Sequence, residues 1–567
     1  MTSFDKAPPV AFVAAICYWC ASLQVYQLKS RNNGMSEASS YPDRAERLCA
    51  TTPPPSGLIQ RLVGCGCAAA AALLAAACAV GPDYRKPPVQ IPTQFKEGVN
   101  WQRAHADPQA SLSSTWWLDY HNGTLTRLIE TALEANQSIA QADAAYRLAQ
   151  ATVAANTANL YPQINAGISV SRLGFGPRAA ETSTTFSMPG VFTLGSANVG
   201  ASWEPDLWGQ IRREIESSKD SAQSTDAQLA GERLSIAASV ATDYFALRQA
   251  DVDIGLLEQQ QQIDTRILDM TRAGFEQKES SSSDVLMAQD TLEQVIAFLQ
   301  ATQATREQYE HAIAVLTDVP PGNFSIAPEP HYSFVTPSVP LALPSQLLER
   351  RYDVVSAERM AASANARIGV AKAAFFPTLT LSAQAGFQTG ALSTLFSLPS
   401  RLWTIGPSLT QPLFDGGARS AALREARADY DSYVAAYRQT VLTAFQSVED
   451  SLSSTNHLMQ QQQAYAMVYR RNQQLFEREQ AQFEVGEASE QNVLTQQLTL
   501  LLAQQSLADT QALLTLSSVT LVRNLGGGWQ WHDTDDTKKT PVKTPVGPVA
   551  SSKSQPKAAD AKPLAMQ

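Results

Sequence analysis

Four segments of the chain alternate between apolar and small polar residues. Ile164, Ala166, Ile168 and Val170 interleave with Asn165, Gly167, Ser169 and Ser171, and Ala197, Val199, Ala201 and Trp203 interleave with Ser196, Asn198, Gly200 and Ser202. Farther on, Leu379, Leu381, Ala383, Ala385 and Phe387 alternate with Thr380, Ser382, Gln384 and Gly386. Trp403, Ile405, Pro407 and Leu409 alternate with Thr404, Gly406, Ser408 and Thr410. A period of two places each set on its own face of a β-strand. The polar sets are small and uncharged, as a wet lumen wall would tolerate. A soluble sandwich with one solvated face would show the same alternation. Strands of about 9–11 residues suit a membrane barrel. Four strands, however, cannot close around a lumen. Open edges cannot face lipid either, because unpaired backbone groups there cost several kcal/mol each. Strands lying in a membrane would need further copies of the chain to complete the wall, and this arithmetic does not give their number.

Between the strand pairs the period changes to that of a helix. Residues 418–485 contain no Pro and no Gly, and 210–273 contain no Pro and only Gly231 and Gly255. At 1.5 Å per residue such helices reach about 100 Å. Leu423, Ala426, Tyr430, Tyr433, Tyr437, Val441, Phe445, Val448 and Leu452 recur at spacings of three and four, a seam for lateral helix packing. Antiparallel partner helices are expected at about 285–316 and 493–522, joined by turns at 274–284 and 486–492 that are rich in Gly, Ser and Glu. These hairpins would project far from the strands.

The plan occurs twice. Tyr161-Pro162 opens the first alternating stretch and Phe376-Pro377 the third. Trp203-Glu-Pro205-Asp-Leu-Trp-Gly209 is echoed by Gln411-Pro412-Leu-Phe-Asp-Gly416-Gly417. Gly274-Phe275 followed by Asp284-Val285-Leu286 is echoed by Gln482-Phe483 followed by Asn492-Val493-Leu494. The expected division is an over-extended N-terminus with a signal (1–77), an N-terminal segment (78–115), a first repeat (116–335, β-hairpin 163–205), a second repeat (336–530, β-hairpin 378–412) and a C-terminal tail (531–567).

Composition narrows the function classes. The 567 residues carry a formal net charge of −10, which argues against a nucleic-acid partner. Only 17% are charged, below the ~25% usual for soluble domains. All six cysteines lie at or before Cys78, so a disulfide framework or cysteine metal site in the body is excluded. Cys17-Tyr-Trp-Cys20 has redox spacing without a βαβ context. The six histidines are scattered, and neither a phosphate loop nor a nucleophile elbow occurs. No cofactor, no metal and no catalytic residue is expected, and an enzyme is the least favoured class. Residues 532–567, with six Lys, five Pro and few large apolar residues, read as a disordered tail.

Arg61 precedes the apolar run Leu62 to Ala77, which ends at Cys78. A basic residue, a short apolar core and small residues before a cleavage point describe a secretory signal. Ala75-Ala76-Ala77-Cys78 is similar to a lipobox, in which the Cys thiol is acylated after cleavage. Ala75-x-Ala77 equally suits ordinary signal peptidase, and either route starts the mature chain at Cys78. Residues 1–60 are long, mixed and Pro-containing, so initiation at Met35 or later is expected. Pro9 to Leu23 is a second, weaker signal or anchor.

The arrangement resembles the TolC-like outer membrane efflux family, in particular its NodT-like lipoprotein branch, over about residues 78–530. Cys78-Ala-Val-Gly81-Pro82-Asp83-Tyr84 matches its start, and Trp116-Trp117, Leu128-Ile129, Ala132-Leu133 and Asn136 match its first helical motif. Leu343-Pro344-Ser345-Gln-Leu347-Leu348-Glu-Arg350-Arg351-Tyr352-Asp353, then Ala357-Glu358, matches the opening of its second half, with Tyr352 where the family usually has Pro. Ala373-Ala374-Phe375-Phe376-Pro377 and Phe414-Asp415-Gly416-Gly417-Ala-Arg419 are further matches. The resemblance implies a mainly α fold with membrane β: a homotrimer with a twelve-stranded β-barrel in outer membrane lipid, continued by a twelve-helix periplasmic α-barrel. It implies a passive duct of a tripartite system, exporting small molecules such as drugs or other toxic compounds. A periplasmic adaptor would join it to an inner membrane pump of the RND type, and Cys78 would be lipidated. A duct for type I protein secretion or heavy-metal efflux shares the architecture. A purely structural coiled-coil lipoprotein would not explain the four alternating segments.

On this resemblance the hairpin turns are periplasmic tips that dock the adaptor. Gly274, Ser283, Asp284, Val285 and Leu286 form one tip, and Gly486, Ser489, Asn492, Val493 and Leu494 the other. Asp284, Glu487 and Glu490 are candidates for an acidic constriction, since copies around an axis would repel one another and attract cations. The same acids also fit as solvated helix-start residues favoured by the helix dipole.

Overall fold

The computed structural model describes residues 79–92, 95–96, 114–174, 191–337, 339 and 350–529. Segment 1–77, Cys78, most of the Leu343–Asp353 motif and the tail 531–567 lie outside the described residues. A 3-10 turn, Trp116–Tyr120, leads to α1 (Gly123–Ala135), where Asn122 Oδ1 caps the helix by accepting from the N–H groups of Thr124 and Leu125. Asn136 caps α2 (Gln137–Ala158) in the same way, while its Nδ2 donates to the Leu316 carbonyl. Short polar side chains at these positions satisfy N–H groups that the helix itself cannot.

The alternating segments are strands: β1 (Gln163–Gly174), β2 (Val191–Trp203), β3 (Thr378–Thr389) and β4 (Arg401–Thr410). The first pair leads into α3 (Gln210–Glu276) and α4 (Ser282–Leu316), of 67 and 35 residues. After α5 (Tyr352–Ala373) and the second pair come α6 (Ala418–Glu484) and α7 (Glu490–Asn524), again 67 and 35 residues. Equal lengths in the two halves express the duplication directly. Among the described residues no helix is long and apolar enough to cross a membrane.

The strands form one antiparallel sheet in the order β1-β2-β3-β4. Its register runs the apolar set across all four: Ala166 faces Val199, Val199 faces Ala385, and Ala385 faces Trp403. One residue along, Asn165, Gly200, Gln384 and Thr404 form a polar line. A slip of one residue would exchange the faces of a whole strand. Ile164, Ile168, Val199, Trp403, Ile405 and Leu409 are all exposed in the single chain. The outer edges of β1 and β4 have no strand partner among the described residues.

The core sits midway along the helices. Trp116, Tyr120, Ile129, Tyr244, Phe245, Tyr437, Val441, Leu452 and Leu521 are buried in one cluster. Helix α3 packs against α2, α4, α5 and α7, and α5 also packs against α6. The residue expected to depart from the family pattern, Tyr352, occupies the first turn of α5, a position that suits Pro. Its ring lies over Gly231 of α3, where an added Cβ would overlap it. Gly231 thus makes room for the tyrosine.

At the sheet–helix boundary the two halves interlock. Trp208 Nε1 donates to the Pro377 carbonyl at 2.7 Å, and its ring stacks on Phe376 with centroids 4.9 Å apart. Asp206 and Asp415 play the same part in each half. Asp206 accepts from the N–H of Ile211 and Arg212 and from Arg212 Nε, and Asp415 from the N–H of Gly417 and Arg419 and from Arg419 Nε.

Candidate functional site: two hairpin tips, a two-faced sheet and a carboxyl pair

Both tips are the same turn. At the end of α6 the Gly486 N–H donates to the Phe483 carbonyl and the Glu487 N–H to the Gln482 carbonyl. At the end of α3 the Lys278 N–H donates to Phe275 and the Glu279 N–H to Gly274. This is the paired hydrogen bonding of a Schellman turn, which needs its middle residue in the left-handed region. Gly486 takes φ 81° without strain, whereas Lys278 takes φ 64° and bears the strain of a Cβ there. Gly274 lies inside the last turn of α3, where an added Cβ would meet only the rotatable Ser280 hydroxyl, at 2.7 Å.

The next helices start on serines. Ser281 Oγ accepts from the Asp284 N–H, while Asp284 Oδ2 accepts from the Ser281 N–H and hydroxyl, a reciprocal capping box. These bonds, the backbone one first, hold the Asp284 carboxyl below its ordinary range. Ser489 caps α7 by accepting from the Asn492 N–H at 3.2 Å. Ser283, Leu286, Glu487 and Asn492 are exposed, and Val285, Val493 and Leu494 are half-buried at the base of the turns.

Glu490 is not a free acid. Arg266 of α3 donates to both its carboxylate oxygens, at 2.8 and 3.0 Å, and these hydrogen bonds hold its pKa below the usual carboxylate value. The three candidate acids therefore differ: Asp284 caps a helix, Glu490 pairs across the hairpins, and Glu487 is exposed at the turn. Sequence reasoning missed Lys278, Ser281 and Arg266. Laying the halves over each other would have matched Lys278 with Gly486 and Ser281 with Ser489. No local pattern points from Arg266 to Glu490.

Midway along the same hairpins, Asp253 of α3 meets Asp509 of α7, which also accepts from Gln249 Nε2 at 3.0 Å. Burial, with Asp509 adding, pushes the Asp253 carboxyl up to about 7.

Cys78 lies outside the described residues, but the chain that follows it is anchored at the sheet–helix boundary. The Val80 N–H donates to the Trp208 carbonyl at 3.0 Å, Asp83 pairs with Arg213 at 2.8 Å, and the Tyr84 hydroxyl donates to Glu358 Oε1 at 2.6 Å. On the sheet, Asn165, Asn198, Ser202, Ser382, Gln384 and Thr404 line one concave, uncharged face.

The pattern of the outer membrane efflux protein family matches residues 128–317 and 343–527, one stretch in each half. The chain is 28% identical over 481 residues to the antibiotic efflux pump outer membrane protein ArpC of Pseudomonas putida, covering 84% of this chain and 98% of that protein. It is 26% identical over 467 residues to the cation efflux system protein CusC of Escherichia coli, covering 81% and 97%. The solved outer-membrane channel OprN superposes with a TM-score of 0.71 at 27% identity, over 80% of this chain and all of that one. A two-faced sheet on long paired helices, built twice and matched in both halves, places the chain in the outer membrane efflux protein family: it is an outer membrane channel protein whose helical part lies in the periplasm.

Proposed function

We propose that three copies assemble into a passive duct that exports small molecules, such as drugs or other toxic compounds, from the periplasm to the exterior. The observation that carries this reading is the sheet: one face apolar and exposed, the other concave and polar, with both edges unpaired among the described residues. Three such sheets supply twelve strands, enough to surround an aqueous lumen. The long helices of the three copies continue the lumen as a periplasmic tunnel. The polar sheet face carries no fixed charge to trap a solute, as a wide-specificity exit requires. Energy then comes from an inner membrane pump of the RND type, and a periplasmic adaptor docks on the turns around Lys278 and Gly486. Asp284, Glu487 and Glu490 ring the entrance, with Arg266 drawing Glu490 out of the ring while the pair is intact. Cys78 carries the lipid anchor, in keeping with the fixed position of Val80, Asp83 and Tyr84 at the boundary where the strands begin.

A drug and metal susceptibility panel on a deletion strain, complemented with the mature region from Cys78, tests the assignment. Hypersensitivity to organic compounds that complementation reverses is the expected result. Hypersensitivity confined to metal salts would instead favour heavy-metal efflux, as the likeness to a cation efflux protein suggests. Loss of a secreted polypeptide with unchanged susceptibility would favour protein secretion.

A further inference from the structure

The apolar face of the sheet ends in two arginines. Arg172 continues the series Ile164, Ala166, Ile168 and Val170 on β1, and Arg401 begins the series Trp403, Ile405, Pro407 and Leu409 on β4. Register confirms the shared face: Arg401 opposes Phe387, Phe387 opposes Ala197, and Ala197 opposes Ile168. Both arginines sit at the end of the sheet remote from the helices, because β1 starts after α2 and β4 runs on towards α6. Both are exposed, and among the described residues neither has an ion-pair partner. Phe387 stands beside Arg401 and meets the exposed Phe396 edge-on, with centroids 5.7 Å apart.

A charge on the lipid-facing side of a barrel is tolerated near an interface and not at the midplane. This end of the sheet therefore lies at the outer leaflet, whose glycolipids carry phosphates. Among the described residues, strands β1 and β4 are also the two free edges. Closing the wall with copies lays β4 of one copy beside β1 of the next, and so brings arginines from opposite edges of one sheet onto adjacent strands at each seam. Guanidinium groups match phosphate oxygens in fork geometry and remain charged at any physiological pH.

We propose that Arg172 of one copy and Arg401 of its neighbour form a seam site for the phosphate of an outer-leaflet glycolipid, with Phe396 against its acyl chains. The inference rests on the reading of the sheet as a membrane wall closed by copies. Thermal dissociation of the purified oligomer, in detergent containing bisphosphorylated lipid A, dephosphorylated lipid A or inorganic phosphate, tests it. Wild type should dissociate at a higher temperature with the phosphorylated lipid than with the other two. The difference should fall by at least half in R172Q/R401Q and persist in R172K/R401K. An unchanged difference in the Gln variant, or none in a wild-type oligomer that conducts ions in planar bilayers, would overturn the site and leave the channel standing. A wild-type chain that neither oligomerises nor conducts would overturn the channel reading, and the site with it.

Discussion

Arg266 holds Glu490 through two parallel hydrogen bonds, Nε to Oε1 and Nη2 to Oε2, and so ties the end of the first long helix to the start of α7. Both partners are exposed, so solvent screens the pair and its effect on global stability is small. Its effect on geometry is larger, because it clamps the two hairpins at the tip-side end of the apolar cluster of Ile263, Ile267, Leu494 and Leu498. Glu490→Gln together with Glu487→Gln is expected to leave thermal stability unchanged and to alter single-channel cation preference. Unchanged selectivity in planar bilayers counts against the acidic constriction. The lowered pKa of Glu490 means the pair is present throughout the neutral range and is lost only as pH falls below the ordinary carboxylate value of about 4.3. Wild-type conductance should accordingly be flat above that value.

The Asp253–Asp509 pair predicts a dependence of the opposite sign. The Asp253 pKa is raised, so the folded chain keeps a proton that the unfolded chain releases. Stability is therefore lost as pH rises from about 4, the unfolded value, through about 7, where Asp253 titrates in the fold. Asp253→Asn should melt with wild type at the low end and be more stable at the high end, by on the order of 1–2 kcal/mol after discounting for partial solvent access. Parallel melting curves across the range would show that the pair carries no such penalty.

Gly231→Ala drives a methyl group into the Tyr352 ring and should cost about 1–3 kcal/mol through overpacking. Gly231→Ala combined with Tyr352→Ala should recover most of the overpacking part. A double variant no better than the sum of the two single changes would mean that the glycine is needed for another reason.

Trp208→Ala removes both the stack on Phe376 and the bond to the Pro377 carbonyl, and should cost about 3 kcal/mol. Trp208→Phe keeps the ring contact and should cost only about 1 kcal/mol. Denaturant titration in detergent distinguishes the two. Equal losses would place the whole effect in the hydrogen bond.

Cys78→Ser should abolish incorporation of labelled palmitate while leaving the melting temperature of the mature protein unchanged. The segment after it is held by Arg213, Glu358 and the Trp208 carbonyl rather than by the anchor. Labelling that survives the substitution would move the acylated residue elsewhere.

The amino-acid order alone determined where strands and helices run and that the plan is repeated. Alternation with period two and long stretches free of Pro are local properties, and each acts within a few residues. The second turn was legible for the same reason, since Gly486 and Ser489 encode turn and cap chemistry on the spot, whereas in the first only Asp284 of the capping box was. Only the tertiary structure decided that β2 pairs with β3 to merge two hairpins into one sheet, that Trp208 stacks on Phe376, that Arg266 takes Glu490 and that Tyr352 rests on Gly231. These contacts join residues far apart in the chain. They depend on how helices of equal length are rotated and shifted against one another, and no local period carries that information. Lys278 shows the same limit within a turn: nothing in its own surroundings marks it for a left-handed backbone, and only closure of the hairpin imposes it.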